Sequence, residues 1–262
     1  MLGLGYRREM ADWDLTALGA DFIEVAPENW LRRDRQRLHD WRALGKPVTL
    51  HGVSLNLGGT GPIDVAFVRA VGQLMDELDC PLYSDHLAAS GDAHQLHDLF
   101  PIPFTRDEAL RVADRIAQVQ DLLGRRMAIE NPTWYTNIGP IPEPEFLSAV
   151  VERADCHVLL DLNNLAVNFK NHGLITPQDF VARVDPARLR CLHVAGHEFD
   201  ARFGLHVDTH SAAVEPDTAA LAAQLAAQHG LPLLLERDHD IPEPDTLEQE
   251  LTWLRSMTTC AA

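Results

Sequence analysis

Histidines and carboxylates recur along this chain at the points where short apolar runs end. Val48-Thr49-Leu50 precedes His51, Met127-Ala128-Ile129 precedes Glu130, and Leu233-Leu234-Leu235 precedes Glu236. Imidazoles and carboxylates are costly to bury unless something neutralises them, and metal cations do so. The pattern therefore predicts a cluster of metal ions, with these candidate ligands: His51, His86, Glu130, Asp161, Asn163, His193, His197, Asp208, His210 and Glu236.

The candidate set mixes imidazole nitrogen with carboxylate and amide oxygen and contains no cysteine. Magnesium and calcium sites use mostly oxygen ligands, and structural zinc sites usually recruit thiolates. The mixture therefore favours iron, manganese or catalytic zinc. Because one ion needs only about three or four protein ligands, the larger number of candidate ligands predicts roughly two or three ions, bridged by Glu130 or Glu236.

The spacing between candidates indicates which side chains share a face of a strand. Residues two or four apart on a strand point to the same side, whereas adjacent residues point to opposite sides. Three pairs have the same-side spacing: Asp161 with Asn163, His193 with His197, and Asp208 with His210. Asp85 and His86 are adjacent, so we expect His86 to be the ligand and Asp85 to hold its far ring nitrogen.

These candidates must be positioned by the elements around them, and predicted strands alternate with predicted helices along the whole chain. The strands are Gly3–Tyr6, Phe22–Ala26, Val48–Gly52, Leu82–His86, Met127–Glu130, His157–Asn163, Arg190–Ala195 and Leu231–Glu236. The helices are Arg33–Leu44, Ile63–Leu78, Arg106–Leu123, Glu143–Arg153, Pro177–Val184, Pro216–His229 and Asp245–Met257.

This alternation favours an α/β fold of the (β/α)8 TIM barrel type, as a single domain over residues 1–262. Several strand segments are continuously apolar, as expected for a parallel sheet that helices cover. An open doubly wound sheet is the alternative, but no G-x-G-x-x-G motif follows the first predicted strand. Because the loops after the strands carry the chemistry of such barrels, the metal site is expected at the carboxyl-terminal rim.

Two predicted connections are longer than a barrel needs, and long loops in compact domains are usually functional. Leu87–Phe104 carries His94 and His97. These two histidines either take part in substrate binding or loop closure or have no role, and the sequence does not favour one alternative. Ala195–Val214 is expected to contain no regular helix. Between them, Thr105 and Glu108 have the spacing of a capping box at the start of a helix.

Other polar residues near the rim are harder to interpret. Glu24, Glu28 and Asn29 follow the second predicted strand, where they could bind substrate, hold the ligands by hydrogen bonds, or close a rim network. The sequence leaves these three interpretations open.

Composition limits the classes of function. The chain has 262 residues, of which 46% are hydrophobic and 23% charged, as in an ordinary globular protein with a sizeable core. The formal charge of −17 argues against binding to nucleic acid, whose readers are usually basic. No segment approaches the ~20 apolar residues of a membrane-spanning helix, so we expect a cytoplasmic protein that does not associate with membranes.

The same segments resemble the multinuclear non-haem iron-dependent oxidases related to the methanobactin-biosynthesis oxidase, a family formerly known only as a domain of unknown function. The segments that carry this resemblance span nearly the whole chain: Gly3-Leu-Gly-Tyr-Arg7, Glu24 to Glu28-Asn29, His51-Gly-Val-Ser-Leu55, Ser84-Asp-His-Leu87, Leu96-His-Asp-Leu99, Pro101-Ile-Pro-Phe-Thr105, Glu130-Asn-Pro132, Leu160-Asp-Leu-Asn-Asn164, Asn171-His-Gly173, His193-Val-Ala-Gly-His197, Asp208-Thr-His210 and Glu236-Arg-Asp238.

The resemblance implies a xylose-isomerase-like TIM barrel that holds roughly two or three Fe ions and uses O2 as cosubstrate. It implies an oxidase that modifies cysteine in a ribosomally synthesised precursor peptide, which a small partner protein presents. The ligands carried over are the candidate set given above, and catalysis is expected from these of its members: His51, His86, Glu130, His193 and Glu236. The choice of iron over zinc rests on the resemblance, because the ligand types alone allow both.

Three other functions compete with this interpretation. A trinuclear zinc phosphodiesterase would use nearly the same ligands on the same barrel, although the charge of −17 disfavours a DNA substrate. A metal-dependent sugar isomerase or epimerase often uses a lysine near the metals, and neither Lys46 nor Lys170 ends a predicted strand. A metal-storing or peptide-binding module without turnover is the non-enzymatic alternative.

Overall fold

Short apolar segments form the strands of the structure, a computed structural model that describes residues 1–14, 17–91, 99–136 and 139–260. Within these ranges the strands are β1 (Leu2–Gly5), β2 (Phe22–Val25), β3 (Val48–Gly52), β4 (Tyr83–His86), β5 (Ala128–Glu130), β6 (His157–Asp161), β7 (Leu189–Val194), β8 (Glu198–Asp200), β9 (Leu205–Val207) and β10 (Leu233–Leu235). Eight of them close into a parallel barrel in the order β1-β10-β7-β6-β5-β4-β3-β2. The predicted (β/α)8 TIM barrel is confirmed.

Helices connect the barrel strands. They are α1 (Gln36–Ala43), α2 (Val65–Leu78), α3 (Arg106–Leu123), α4 (Glu143–Ala154), α5 (Leu162–His172), α6 (Pro177–Val181), α7 (Pro216–His229) and α8 (Pro244–Cys260). Side-chain caps mark several of their starts, because the first backbone N–H groups of a helix lack partners within it. Thr105 Oγ1 accepts the Glu108 N–H at 3.2 Å, as the capping box predicts, while the Glu108 carboxylate pairs with Arg111 instead of returning to Thr105.

The interior of the barrel is divided into an apolar layer and a polar layer. The apolar layer is a separate buried cluster of Phe22, Ala128, Leu159, Cys191 and Leu234. Two residues further along the same chain segments come the buried polar residues Glu24, Glu130, Asp161, His193 and Glu236. Because side chains two apart on a strand point to the same face, the polar layer lies above the apolar layer at the carboxyl-terminal ends of the strands.

None of the three expected same-face pairs shares a strand, and the third pair, Asp208 and His210, lies beyond β9, which ends at Val207. The strand β6 ends at Asp161, and α5 begins at Leu162, so Asn163 lies in the first turn of a helix. The strand β7 ends at Val194, so His197 does not share it with His193. At the first of these places the chain changes conformation sooner than the apolar pattern indicated, because Asp161 caps α5 by accepting the Asn164 N–H at 2.6 Å.

The structure describes one of the two predicted long connections in full and the other only in part. Residues 195–214 contain no helix, as expected, but they form the antiparallel hairpin of β8 and β9. His94 and His97 lie outside the described residues. Among the residues that the structure describes, no helix combines the length and the apolar character needed to cross a bilayer.

Candidate metal centre

The first group of potential ligands consists of His51, His86 and Glu130, from β3, β4 and β5. Glu130 Oε2 lies 3.0 Å from both His51 Nε2 and His86 Nε2, and the two nitrogens are 3.4 Å apart. Donor atoms that share one ion at about 2.0–2.1 Å are separated from each other by about 3.0–3.5 Å. The three atoms therefore have the spacing suited to a single metal ion.

The second group consists of Glu130, Asp161, His193 and Glu236, all of them buried. His193 Nδ1 lies 3.2 Å from Glu236 Oε2 and 3.8 Å from Glu130 Oε1. Asp161 uses Oδ1 to cap α5, which leaves its Oδ2 buried and without a hydrogen-bond partner among the described residues. Three carboxylates around one imidazole leave an excess of buried negative charge that a cation would balance.

The third group is formed by His210, Glu236 and Asp238. His210 Nδ1 lies 3.1 Å from Asp238 Oδ2 and 3.6 Å from Glu236 Oε2. Arg7, which follows β1, forms ion pairs with both carboxylates. Since Arg7 already supplies positive charge here, the third group depends less on a cation than the second group does.

Two carboxylates connect the three groups. Glu130 belongs to the first and second groups, and Glu236 belongs to the second and third. Glu130 directs Oε2 to the first group and Oε1 to the second. Glu236 directs Oε2 to both of its groups, because its Oε1 pairs with Arg7. The bridging role of Glu130 and Glu236 stays a prediction, and the geometry is compatible with it.

Hydrogen bonds orient the two histidines of the first group. His51 Nδ1 lies 2.8 Å from Ser84 Oγ, and His86 Nδ1 lies 3.0 Å from the Gly52 carbonyl oxygen. These contacts leave both Nε2 atoms facing Glu130. A partner on the far nitrogen selects the tautomer and ring orientation that a metal-binding histidine needs.

The expectation that Asp85 holds the ring of His86 is wrong. Asp85 Oδ1 accepts the backbone N–H of His86 at 2.8 Å, and its Oδ2 accepts the Tyr83 hydroxyl at 3.1 Å. Adjacent strand residues point to opposite faces, so the rule that sends His86 inward sends Asp85 outward. Burial and the nearby Glu28 carboxylate raise the pKa of Asp85 to about 7.

Three further predicted ligands form a chain of polar contacts beside the three groups. His197 Nδ1 lies 2.7 Å from Asn163 Oδ1, and Asn163 Nδ2 donates to Asp208 Oδ1 at 2.6 Å. Asp208 Oδ1 in turn lies 2.8 Å from His210 Nε2. Lys170 Nζ lies 2.9 Å from His197 Nε2. The structure thus brings Asn163, His197 and Asp208 to the edge of the third group, and their ligand role stays a prediction.

Sequence reasoning missed two residues of the site and left a third open. Arg7 and Asp238 were assigned no ligand role, although Asp238 belongs to the third group and Arg7 pairs with two of its carboxylates. Glu24 lies in the polar layer with its Oε1 3.0 Å from His193 Nε2, and Thr49 Oγ1 donates to its Oε2 at 3.1 Å. The available signal was position, because Arg7 and Asp238 each lie two residues beyond the inward-facing Gly5 and Glu236.

The charges of the site shift one another's pKa values. Burial opposes charge on His51, but the Glu130 carboxylate outweighs it and raises the His51 pKa to about 9. Burial likewise opposes charge on Glu130, yet His86 and His51 lower its pKa to about 2. Asp161 differs, because burial and the negative charge of Glu130 both raise its pKa. Asp161 is thus the carboxyl that would gain most from a nearby cation.

The three groups open into a cavity of about 490 Å³. His51, His86, Glu130 and Glu236 lie in its lining, and Asn29 and Tyr135 form part of the wall. The Tyr135 hydroxyl accepts the Asp208 N–H at 3.1 Å. A small molecule or a side chain of a polypeptide could therefore reach the potential ligands from this opening.

The amino-acid sequence of this chain is similar to that of one described family and of several bacterial proteins. The family described as "RiPP precursor modification enzyme MbnB/TglH/ChrH" matches residues 1–259. A UPF0276 protein of Neisseria meningitidis serogroup B is 40% identical over 99% of this chain and 95% of its own length. A UPF0276 protein of Pseudomonas aeruginosa is also 40% identical, over 97% of this chain and 91% of its own length.

Solved structures are similar in fold alone. D-Psicose 3-epimerase from Clostridium cellulolyticum superposes with a TM-score of 0.67 at 14% identity, covering 99% of this chain and 98% of its own. Endonuclease IV from Thermus thermophilus gives a TM-score of 0.66 at 18% identity, covering 99% of both chains. A xylose isomerase-like TIM barrel protein from Mycobacterium smegmatis gives 0.56 at 13% identity, covering 94% of this chain and 87% of its own. The predicted xylose-isomerase-like barrel is confirmed.

Proposed function

This chain belongs to the RiPP precursor modification enzyme family MbnB/TglH/ChrH, and on that premise we propose that it is a multinuclear, iron-dependent oxidase. In this proposal it uses O2 to modify cysteine residues of a ribosomally synthesised precursor peptide. The observation that carries the proposal is the row of three ligand groups connected by Glu130 and Glu236.

The donor atoms fit bound iron. Glu130 Oε2 is buried and faces two histidine nitrogens of the first group, and Asp161 Oδ2 is buried without a hydrogen-bond partner among the described residues. Buried polar atoms are rarely left without partners, so such a cluster supports a bound cation. Imidazole and carboxylate donors without thiolate are suited to iron. In the proposal the remaining ligands come from Asn163, His197, Asp208 and His210.

The proposed catalytic residues are His51, His86, Glu130, His193 and Glu236. Bound iron would supply a Lewis acid for the cysteine thiolate and a redox centre through which electrons pass from the cysteine to O2. Ser84 and the Gly52 carbonyl hold the two imidazoles of the first group in place, and the apolar layer below excludes water from that side. Arg7 limits the negative charge of the rim, which would otherwise repel a thiolate.

We extend the proposal to the setting of the reaction. The substrate would be a cysteine-containing precursor peptide presented by a small partner protein, as the family resemblance implies. The reaction would take place in the cytoplasm. The net charge of −17 argues against nucleic acid as a partner.

The proposal is tested by metal content and turnover together. We expect protein purified anaerobically from iron-supplemented cells to hold roughly two or three irons per chain and to consume O2 with a cysteine-containing precursor peptide. His51→Ala and Glu130→Ala should each lose iron and turnover. His39→Ala is the matched control, since His39 is a half-exposed histidine of α1 that pairs with Glu77 and belongs to none of the three groups.

Two outcomes would contradict the proposal. Undiminished peptide oxidation by both variants would remove the row of groups as the catalytic site. Stoichiometric zinc or manganese that iron cannot replace would instead favour the phosphodiesterase or the sugar isomerase, which the same barrel and ligand types also allow.

A further inference from the structure

A second cavity of about 410 Å³ lies apart from the metal centre. Its lining comes from the segment before α3, the segment before α4 and the first residues of α4, the helices α5 and α6, and the loop that joins them. It shares no lining residue with the cavity of the metal centre. The volume is within the range of about 300–1,000 Å³ that is usual for small-molecule sites.

Most of this second cavity is apolar. Phe104, Leu165 and Phe180 are buried parts of its wall, and Leu174, which is 63% exposed, lies at its edge. Phe104 packs edge-on against Trp134, another wall residue, at 6.0 Å between ring centroids. Flat aromatic walls of this kind are suited to a flat apolar group.

One carboxyl group interrupts the apolar lining. Glu143 is 7% exposed, and its Oε2 accepts the Trp134 indole N–H at 2.7 Å and an Asn168 amide N–H at 3.4 Å. Its Oε1 is buried and has no hydrogen-bond partner among the described residues. Burial raises the pKa of Glu143 to about 7. Above that pH Oε1 is a buried acceptor without a donor, which is costly, so a ligand that supplies the donor would gain affinity.

We propose that the second cavity binds a flat apolar ring that carries one neutral hydrogen-bond donor, an indole N–H or a phenol O–H, which donates to Glu143 Oε1. A purely apolar ring would leave that oxygen unsatisfied. A cationic ligand would have to leave water and would meet Arg183 in the lining. The ring could belong to a free small molecule or to a tryptophan or tyrosine side chain of a polypeptide.

The second cavity has a wall in common with the metal centre. Thr133 and Tyr135 line the metal cavity, whereas Trp134 between them lines the second cavity. Asn168 holds this segment by accepting the Trp134 N–H at 3.0 Å and donating to the Pro132 carbonyl oxygen at 3.1 Å. A bound ring would therefore lie one backbone segment away from the metal cavity, without contact with the ligands.

The first experiment compares two probes on the full chain by calorimetry at pH 8. Indole has the donor, and 1-methylindole has nearly the same shape without it. We expect indole to bind and Glu143→Gln to weaken its binding by about tenfold, as the loss of one buried hydrogen bond predicts. The Gln oxygen is needed by Trp134 and Asn168, so its amide N–H₂ would occupy the acceptor position. 1-Methylindole should bind weakly and equally to both proteins.

Matched variants test whether indole binds in this cavity and not elsewhere on the protein. Glu145→Gln changes an exposed residue of the same helix and should leave indole binding unchanged. Leu174→Trp alters an exposed position at the cavity edge, so the protein should fold while indole binding falls. Equal binding of the two probes to the wild type, or undiminished indole binding in both Glu143→Gln and Leu174→Trp, would overturn the proposal.

A blocked Gly-Trp-Gly tripeptide distinguishes the two sources of the ring. Tighter binding of the tripeptide than of indole would support a polypeptide side chain as the natural occupant. Indole binding without tripeptide binding would support a free small molecule. Failure of both probes to bind would overturn the proposal, and none of these outcomes depends on metal content or turnover.

Discussion

A single guanidinium determines how much of the acidic rim needs a metal cation. Arg7 pairs with Glu236 and Asp238, whereas Glu130 and Asp161 have no arginine or lysine in contact among the described residues. The second group therefore relies on imidazoles or on a cation for neutralisation. The third group is partly neutral before any ion binds.

This difference predicts the behaviour of Arg7→Gln. Removing one partner of a largely buried ion pair leaves the other uncompensated, so the metal-free variant should lose roughly 3 kcal/mol of unfolding free energy. Added iron should restore more stability to the variant than to the wild type, because the cation replaces the lost charge. Urea unfolding with and without metal measures both effects.

The exposed neighbour offers a control for this test. Arg8→Gln removes the same charge from the chain outside the rim and should change neither measurement. An equal loss in metal-free and metal-bound Arg7→Gln would show that Arg7 acts through packing instead of charge.

Ser84 is the residue whose hydroxyl meets His51 Nδ1 at 2.8 Å. Ser84→Ala should weaken metal binding by about 10–100-fold, because the imidazole loses the partner that fixes its tautomer. Competition with a metallochromic chelator measures the affinity. Ser148→Ala on α4 provides the control, and an unchanged affinity in Ser84→Ala would exclude the orienting role.

At the scale of elements, the junction of β6 and α5 joins the fold to the site. Asp161 ends the strand, caps the helix with Oδ1, and leaves Oδ2 buried without a hydrogen-bond partner among the described residues. The same junction carries Asn163 and Asn164 into the first turn of α5, where Asn163 contacts His197. One carboxyl group thus contributes both to helix stability and to the candidate metal centre.

These two roles can be separated by substitution. Asp161→Asn should keep the cap, since Asn is as good an N-cap as Asp, and should unfold at nearly the same urea concentration as metal-free wild type. Asp161→Ala should lose about 0.5–2 kcal/mol of unfolding free energy. Both variants should bind less iron, and full iron content in Asp161→Asn would show that Oδ2 is not a ligand.

At the scale of the whole molecule, the stability of the metal-free protein should depend on pH through Glu143. Its pKa is raised from an ordinary value of 4.5 to about 7, so the folded state holds a proton that the unfolded state has lost. Stability from this group is therefore fully present below pH 4.5 and is lost as the pH rises to about 7. The raised pKa of Glu143 thus contributes about 3 kcal/mol of unfolding free energy at low pH.

Glu143→Gln should remove this part of the pH dependence. The variant should show a smaller fall in unfolding free energy than the wild type between pH 4.5 and 7, measured by urea unfolding at each pH. Glu145→Gln, on the exposed face of the same helix, should follow the wild type. Parallel curves for Glu143→Gln and wild type would mean that Glu143 is charged in the folded protein throughout this range.

The barrel itself could be predicted because its signals are local. Most of the barrel strands are short apolar runs, several helices begin at a side-chain cap, and the carboxyl-terminal ends of parallel strands must meet at one rim. The residues of the polar layer could be predicted for the same reason, since each of them ends or follows a short apolar run: Glu130, Asp161, His193 and Glu236. The ends of the strands were harder to predict, because the helix cap at Asp161 ends β6 inside an apolar pattern.

The sequence by itself determined the fold class and the residue types gathered at the rim, because apolar period and strand ends are properties of neighbouring residues. Only the tertiary structure decided which groups face each other. It placed the Gly52 carbonyl, and not Asp85, on the imidazole ring of His86, brought Arg7 across to Glu236, and made Glu130 common to two ligand groups. Such pairings join positions far apart in the chain, and the closure of the barrel sets their distances.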